Sequence, residues 1–237
     1  SGKRSRFLCD LFYKIVSFAC NSSVRTGGIC AIICCASFGM DAEKESFAMQ
    51  DSLILASGSP RRRELLSLMG ITYQICPADV DEHMTGAPDE VVMALSRRKA
   101  LAVAERHSGC TVLGADTLVA CRGEIMGKPQ DQQDAMRMLM LLSGGENNVY
   151  TGVTVIDGKT GRADTRCDQT RVRFTSIAPE AAQRYIDSGE PMDKAGAYGA
   201  QGMGGMFVSA IEGSPSNVIG LPMHLVRQML MEIGWQL

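Results

Sequence analysis

Leu55-Ala56-Ser57-Gly58-Ser59-Pro60-Arg61-Arg62-Arg63-Glu64 is the stretch on which the reading of this chain turns. It follows the apolar run Leu53-Ile54-Leu55 and leads into Leu65-Leu66-Ser67-Leu68-Met69-Gly70. That order predicts a strand, a tight loop and a helix. Ser59 suits the N-cap, and Pro60 suits the first helical position because it has no N–H to lose. Gly70 is well placed to end the helix. Three arginines then fill the first turn, where the macrodipole favours anions by roughly 0.3–1 kcal/mol. A solvated basic turn is the plain reading. The alternative is a bound anion, with polyphosphate the natural guest, because Ser-Gly-Ser lets backbone amides approach an oxyanion.

The 237 residues suffice for one large or two small domains. A 45% hydrophobic and 21% charged composition is that of an ordinary globular protein. The net charge of −2 and an aromatic content of 5% argue against a nucleic acid polymer or a membrane surface as partner. Charge is uneven: Lys3, Arg4, Arg6, Lys14 and Arg25 face a single acid, Asp10, within residues 1–39. Five of the nine cysteines fall in the first 35 residues, and Cys76, Cys110, Cys121 and Cys167 are scattered singly. An odd number without framework spacing points to a reducing, cytoplasmic compartment. Cys30-x3-Cys34-Cys35 lacks the second ligand pair of a zinc site.

Phe7, Leu8, Leu11, Phe12, Ile15, Val16 and Ala19 recur at helical spacing in a basic, acid-poor segment. This leaves a mitochondrial-type presequence open. The apolar stretch from Gly28 to Gly39 is shorter than the ~20 residues that span a bilayer. Residues 1–48 are therefore expected to be an N-terminal extension outside the fold, targeting or disordered, and residues 49–237 to form the folded domain.

From Leu53 onward strands and helices alternate. The pattern predicts strands over Ile71 to Ile75, Thr111 to Ala120 and Glu124 to Met126, with Arg122-Gly123 as a turn. Strands from Val149 to Ile156 and Thr165 to Phe174 are joined through the hairpin signal Asp157 to Gly161. Helices are predicted over Pro88 to His107, Asp131 to Leu142, Pro179 to Asp187 and Pro222 to Ile233. A glycine-rich loop from Ala195 to Gly205 precedes a strand over Met206 to Ile211. The fold class is α/β: a single domain with a central mixed, twisted sheet flanked by helices and a nucleotide cleft.

Several charges sit in apolar surroundings. Asp116 lies inside an uncharged strand, where an unpaired carboxylate costs several kcal/mol. It is either a strand-end cap or a metal ligand or general base at the carboxyl end of a strand, where open α/β sheets place their sites. Lys99 falls on the stripe of Val92, Leu95, Ala102 and Val103, and either snorkels or points into a cleft. Lys128 precedes Pro129 in a loop, and Asp81-Glu82 is an acidic loop of hard oxygen donors suited to Mg²⁺ or Mn²⁺. A Gly-x4-Gly-Lys-[Ser/Thr] P-loop is lacking, and Gly202-Met-Gly-Gly-Met206 precedes a strand rather than opening a helix.

Six motifs occur in order: Leu55 to Arg62, Leu113-Gly-Ala-Asp-Thr117, Gly127-Lys-Pro129, Leu142-Ser-Gly144 with Tyr150-Thr-Gly-Val153, Gly189 to Gly202, and Gly213 to Pro222. In these the chain resembles the Maf family of nucleoside triphosphate pyrophosphatases. The resemblance implies that Asp116 is the proton acceptor, joined in catalysis by Glu82, Lys99 and Lys128. It also implies that Arg61, Thr117 and Gln201 govern specificity. Arg62, Ser57 and Lys194 complete the substrate contacts, and Glu82 and Asp116 hold a divalent cation (Mg²⁺, Mn²⁺ or Co²⁺). The Asp193 to Gly202 loop is similar to that of the dTTP and UTP branch. The implied reaction gives the nucleoside monophosphate and pyrophosphate, in a homodimer. Asn147-Asn148 and Pro215 depart from common family residues. A 7-methyl-GTP specificity and a non-hydrolytic nucleotide-binding regulator stay open as alternatives.

Overall fold

The computed structural model describes residues 52–237. The expectations for residues 1–48, the targeting segment among them, lie outside the described residues. Leu53–Leu55 forms β1, fully buried, and the chain then enters α1 (Pro60–Leu68) with Pro60 in its first turn. Ser59 occupies the N-cap with extended backbone, yet its side chain makes no capping bond. Gly70, at φ +71°, turns the chain away after α1, a conformation that favours glycine. β2 (Tyr73–Ile75) is shorter than predicted. α2 (Pro88–Ala104) opens on Pro88 with Asp89 and Glu90 in its first turn, the charge the helix N-terminus prefers.

β3 (Thr111–Cys121) and β4 (Glu124–Met126) are joined by a two-residue turn. Arg122 and Gly123 both have positive φ, 50° and 83°, as the tightest hairpins require. α3 (Gln132–Leu142) is capped by the Asp131 side chain, which accepts from Asp134 N at 2.8 Å. β5 (Glu146–Ile156) and β6 (Ala163–Phe174) form the long hairpin, and both begin earlier than predicted because their antiparallel ladder runs unbroken from Glu146–Arg173 to Ile156–Ala163. α4 (Pro179–Asp187) has the predicted bounds. The glycine-rich region forms short 3₁₀ turns, Glu190–Asp193, Ala195–Ala197 and Met203–Phe207. That last turn delays the next strand, so β7 is Val208–Glu212 rather than Met206 to Ile211. A short helix that the sequence pattern missed, α5 (Pro215–Ile219), precedes α6 (Met223–Glu232). Ser214 caps α5 by accepting from Asn217 N at 3.3 Å.

The seven strands of the described residues form one mixed sheet in the order β2-β1-β3-β5-β6-β7, with β4 added to β3. β2, β1 and β3 run parallel and the remaining pairs antiparallel. Successive residues point to opposite faces. Leu53, Leu55, Leu113, Ala115, Val153 and Val155 pack with α1 and α6, whereas Ile54, Val112 and Ile156 pack with Ala100 and Val103 of α2. A third cluster joins Val119, Val149 and Val172 to α3 and α4. Helices therefore cover both faces. Among the described residues no helix is long and apolar enough to cross a membrane.

Two features of β3 make the cleft. Along one edge β1 pairs with Thr111 to Leu113 and β4 with Val119 to Cys121, so Gly114 to Leu118 has no strand beside it there. Asp116 is the middle residue of that gap. It stands in mid-strand, not at the carboxyl end of β3 as predicted, and the chain end that matters is that of β1, which stops at Leu55 opposite Leu113. The second feature is the close approach of α2. A Cβ at Gly114 would lie 2.4 Å from Ser96 O, and one at Gly152 2.2 Å from Val92 O.

Backbone atoms cannot retreat as a flexible side chain can, so Gly152→Ala is expected to push α2 off the sheet and cost about 1–3 kcal/mol or more. Chemical denaturation of the variant should show a lower midpoint; an unchanged midpoint would contradict the packing described.

Candidate active site

The gap in β3 opens into a cleft of about 700 Å³, within the range typical of small-molecule sites. Ser57, Arg61, Arg62, Glu82, Lys99, Asp116, Thr117, Lys128, Lys194 and Gln201 all line it. Five bases and three acids face the space once Asp193 is included, an excess of positive charge that suits a polyanion.

At the floor Lys99 bridges two carboxylates. Its Nζ lies 2.7 Å from Asp116 Oδ1 and 2.7 Å from Glu82 Oε1. Lys99 is on the buried face of α2 with Val91, Val92, Leu95, Ser96, Ala100 and Val103, while Ala102, which the stripe had included, is only half-buried. The Lys99 and Asp116 side chains are 9% and 12% exposed and Glu82 is 58% exposed, so the triad reaches from the core to the rim. Burial alone would raise the Glu82 carboxyl. The hydrogen bond and charge of Lys99, with the charges of Lys128 and Arg62, outweigh it and hold Glu82 below its ordinary value.

Thr117 points to the opposite face from Asp116, and there Arg62 meets it. Arg62 donates from Nε to Gly220 O at 2.8 Å, from Nη1 to Ser57 Oγ at 3.0 Å and from Nη2 to Thr117 Oγ1 at 3.0 Å. Burial lowers the guanidinium's pKa, opposed by the charge of Asp116. The network continues through Thr151, whose hydroxyl lies 3.0 Å from that of Thr117 and donates to Asn217 O at 3.2 Å. Asn217 is fully buried and donates to Val149 O at 3.1 Å and Thr170 Oγ1 at 3.0 Å, which anchors α5 and with it the Gly220 carbonyl. Ser57 Oγ also accepts from Ser59 N at 3.3 Å, tightening the loop after β1.

Arg61 is engaged differently from the sequence expectation. Its Nη1 lies 2.8 Å from Asp193 Oδ2, an ion pair between residues 132 positions apart. Lys194 donates to Asp193 Oδ1 at 2.6 Å and to Glu190 O at 2.6 Å. Asp193 thus occupies both cations, and their hydrogen bonds keep its carboxyl below the ordinary value although burial pushes it up. Lys128 and Gln201 stand exposed on the rim. The loop of Lys128 is tied across the cleft where Gly196 N donates to Gly127 O at 3.0 Å. Arg63 is half-buried, with its Nε buried and without a hydrogen-bond partner.

Glu82 and Asp116 are two hard carboxylates with one oxygen each on Lys99. Among the described residues no group of three or more His, Cys, Asp or Glu side chains could hold a metal by itself. This donor set fits a divalent cation of the Mg²⁺ kind, which takes one or two carboxylates and completes its shell with water and phosphate oxygens. Asp193, Glu190 and the Gly220 carbonyl were missed by sequence reasoning. An acid next to a base in the nearly uncharged Met192 to Gly205 stretch was the available signal for Asp193; nothing local marks a backbone carbonyl.

Residues 52–233 match the Maf-like protein family. The chain is 46% identical over 185 residues to the dTTP/UTP pyrophosphatase of Symbiobacterium thermophilum, covering 77% of this chain and 94% of that protein. It is 43% identical over 185 residues to the dTTP/UTP pyrophosphatase of Pelotomaculum thermopropionicum, covering 77% and 97% respectively. The protein of the same description from Myxococcus xanthus is 46% identical over 190 residues, covering 79% of this chain and 95% of that one.

Arg62 and Lys128 should separate under stability measurements. A lysine cannot reproduce the three-way fork of Arg62, so Arg62→Lys should cost about 1–3 kcal/mol in urea unfolding. Lys128→Ala, on the exposed rim, should stay within about 0.5 kcal/mol of wild type. Equal stabilities for the two variants would refute the structural role of Arg62.

Proposed function

This chain belongs to the Maf family, and from that premise we propose that it is a nucleoside triphosphate pyrophosphatase that hydrolyses dTTP and UTP to the monophosphate and pyrophosphate. The observation that carries the proposal is Asp116, set in the unpaired stretch of β3 and facing Lys99 and Glu82 across a cleft with excess positive charge. The relatives described above, named for that activity, support the same substrate pair. Residues 49–237 are the catalytic domain in this reading.

Asp116 accepts the proton of the attacking water, and Lys99 holds its carboxylate in place for that task. Arg62 has used three of its five donors on Gly220, Ser57 and Thr117, which leaves two for phosphate oxygens. Arg61 and Lys194 exchange Asp193 for phosphate as the substrate enters, and Lys128 closes on it from the rim. Together these cations stabilise the charge that develops on the phosphates. Ser57 and Thr117 shape the pocket wall, and the Gln201 amide pairs with the donor and acceptor edge of uracil or thymine. Glu82 and Asp116 would hold a divalent cation (Mg²⁺, Mn²⁺ or Co²⁺). When bound, it would polarise the α-phosphate and acidify water. The setting is cytoplasmic.

Asp116→Asn keeps the size of the side chain and removes the base, so turnover should fall by about 10²–10⁴-fold with the fold retained. The assay is pyrophosphate release from a nucleotide panel with Mg²⁺, Mn²⁺ and Co²⁺. Undiminished release by the variant would defeat the assignment, and a preference for 7-methyl-GTP would move the chain to another branch of the family. The homodimer belongs to the same reading. Sedimentation equilibrium should give twice the 25.5 kDa chain mass, and a monomer at assay concentration would remove that part.

A further inference from the structure

We propose that Glu190 and Tyr185 are positioning residues for base recognition: they fix the segment that carries Gln201 and thereby set the preference for uracil and thymine. This rests on the pyrimidine nucleotide reading above. No step of the hydrolysis uses Glu190. Its carboxylate nevertheless gathers the glycine-rich region around itself. Oε1 accepts from Tyr185 Oη at 3.0 Å and from Gly204 N at 3.3 Å, and Oε2 accepts from Met203 N at 2.9 Å. Tyr185 Oη in turn accepts from Gly199 N at 3.1 Å. The segment is pinned at Gly199 on one side of Gln201 and at Met203 and Gly204 on the other.

Both anchors are themselves held by further contacts. Tyr185 is 1% exposed in the α3–α4 core, and its ring meets that of Phe207 edge to face with centroids 5.6 Å apart. The Glu190 backbone carbonyl accepts from Lys194 Nζ, which ties the same turn to the cleft wall. The wrap is tight enough to exclude side chains. A Cβ at Gly202 would fall 2.2 Å from Glu190 Oε1, and one at Gly204 2.6 Å from Tyr185 Oη. Gln201 is left as the exposed, cleft-lining residue between the pins.

The chemistry explains why such a device is needed. A glutamine amide carries a donor and an acceptor and can turn over, so by itself it reads several base edges. Selectivity comes from the backbone that holds it at one distance and angle. Of the cations assigned to phosphate, Arg61 and Arg62 lie on α1 and Lys128 on the loop after β4, while Lys194 bonds the Glu190 backbone carbonyl, which Glu190→Gln and Tyr185→Phe leave in place, so these two changes should weaken base reading and leave the chemical step alone.

The test compares kcat and KM for UTP and ATP in the full-length wild type, Glu190→Gln, Tyr185→Phe, Gln201→Ala and the Glu190→Gln/Gln201→Ala double variant. Tyr185→Phe keeps the ring packing and removes only the hydroxyl, so it carries the test if Glu190→Gln fails to fold, which thermal melts will reveal. Each single variant should lower the UTP-to-ATP ratio of kcat/KM by roughly tenfold, and for Glu190→Gln and Tyr185→Phe the loss should come through a raised KM for UTP with kcat on UTP within about twofold. In the Gln201→Ala background Glu190→Gln should lower the ratio no further, as expected when one residue acts through the other. Two results would overturn the proposal. One is wild-type discrimination in a folded Tyr185→Phe or Glu190→Gln while Gln201→Ala loses it. The other is losses that multiply in the double variant. A wild-type enzyme that cleaves ATP as well as UTP would instead overturn the pyrimidine reading, and this inference with it.

Discussion

Helix α2 lies so near β3 and β5 that a methyl group at Gly114 or Gly152 would meet its backbone at 2.4 or 2.2 Å. This closeness brings the Lys99 ammonium within 2.7 Å of Asp116 in the sheet below. A more distant helix would leave the carboxylate unpaired inside a hydrophobic layer, at a cost of several kcal/mol. Glu82, on the loop before α2, can then reach the same ammonium from the solvent side. The acidic pair, its cation and the mouth of the cleft all follow from that one contact.

The second organising fact is topological. β3 is long, and its partners on one edge are both short, so β1 and β4 cover only its two ends. The uncovered middle exposes Asp116 on one face and Thr117 on the other. Arg62 closes the second face, held by a loop oxygen, a strand hydroxyl and a carbonyl from the distant α5 segment. In this structure Arg61 and Lys194 are bound to Asp193 rather than to Arg62's partners. The cleft therefore has one wall built on the hydrogen bonds of Arg62 and the buried Lys99 and another built on the ion pairs of Asp193.

Much of this was legible in the residue order. Pro60, Pro88 and Pro179 mark helix starts because a missing N–H costs nothing there. Arg122-Gly123 marks a tight turn because both positions need positive φ. Asp116 and Lys99 stand out because charge in an apolar pattern requires a partner. The errors have equally local causes. The early start of β5 depends on its ladder with β6, and β7 is displaced by a 3₁₀ turn that glycine-rich sequence disguises as loop. α5 is too short for periodicity to register, and its Asn217 anchor lies against β5 and β6, far away in sequence. Asp116 was expected at a strand terminus because the uneven lengths of β1 and β3 cannot be read from either strand alone.

The sequence by itself determined the chemical inventory of the cleft: which residues carry charge, which loops bend, and which helices begin beside phosphate-sized donors. It did so because helix starts, turns and amphipathic faces depend on neighbours within a few residues. Tertiary structure alone decided who meets whom. That Lys99 serves two carboxylates, that Asp193 holds Arg61 from 132 positions away, and that Glu190 gathers the Gln201 segment are consequences of strand order and helix approach. Such long-range contacts are fixed only when the sheet closes its ladders and buries its faces, and no local pattern encodes them.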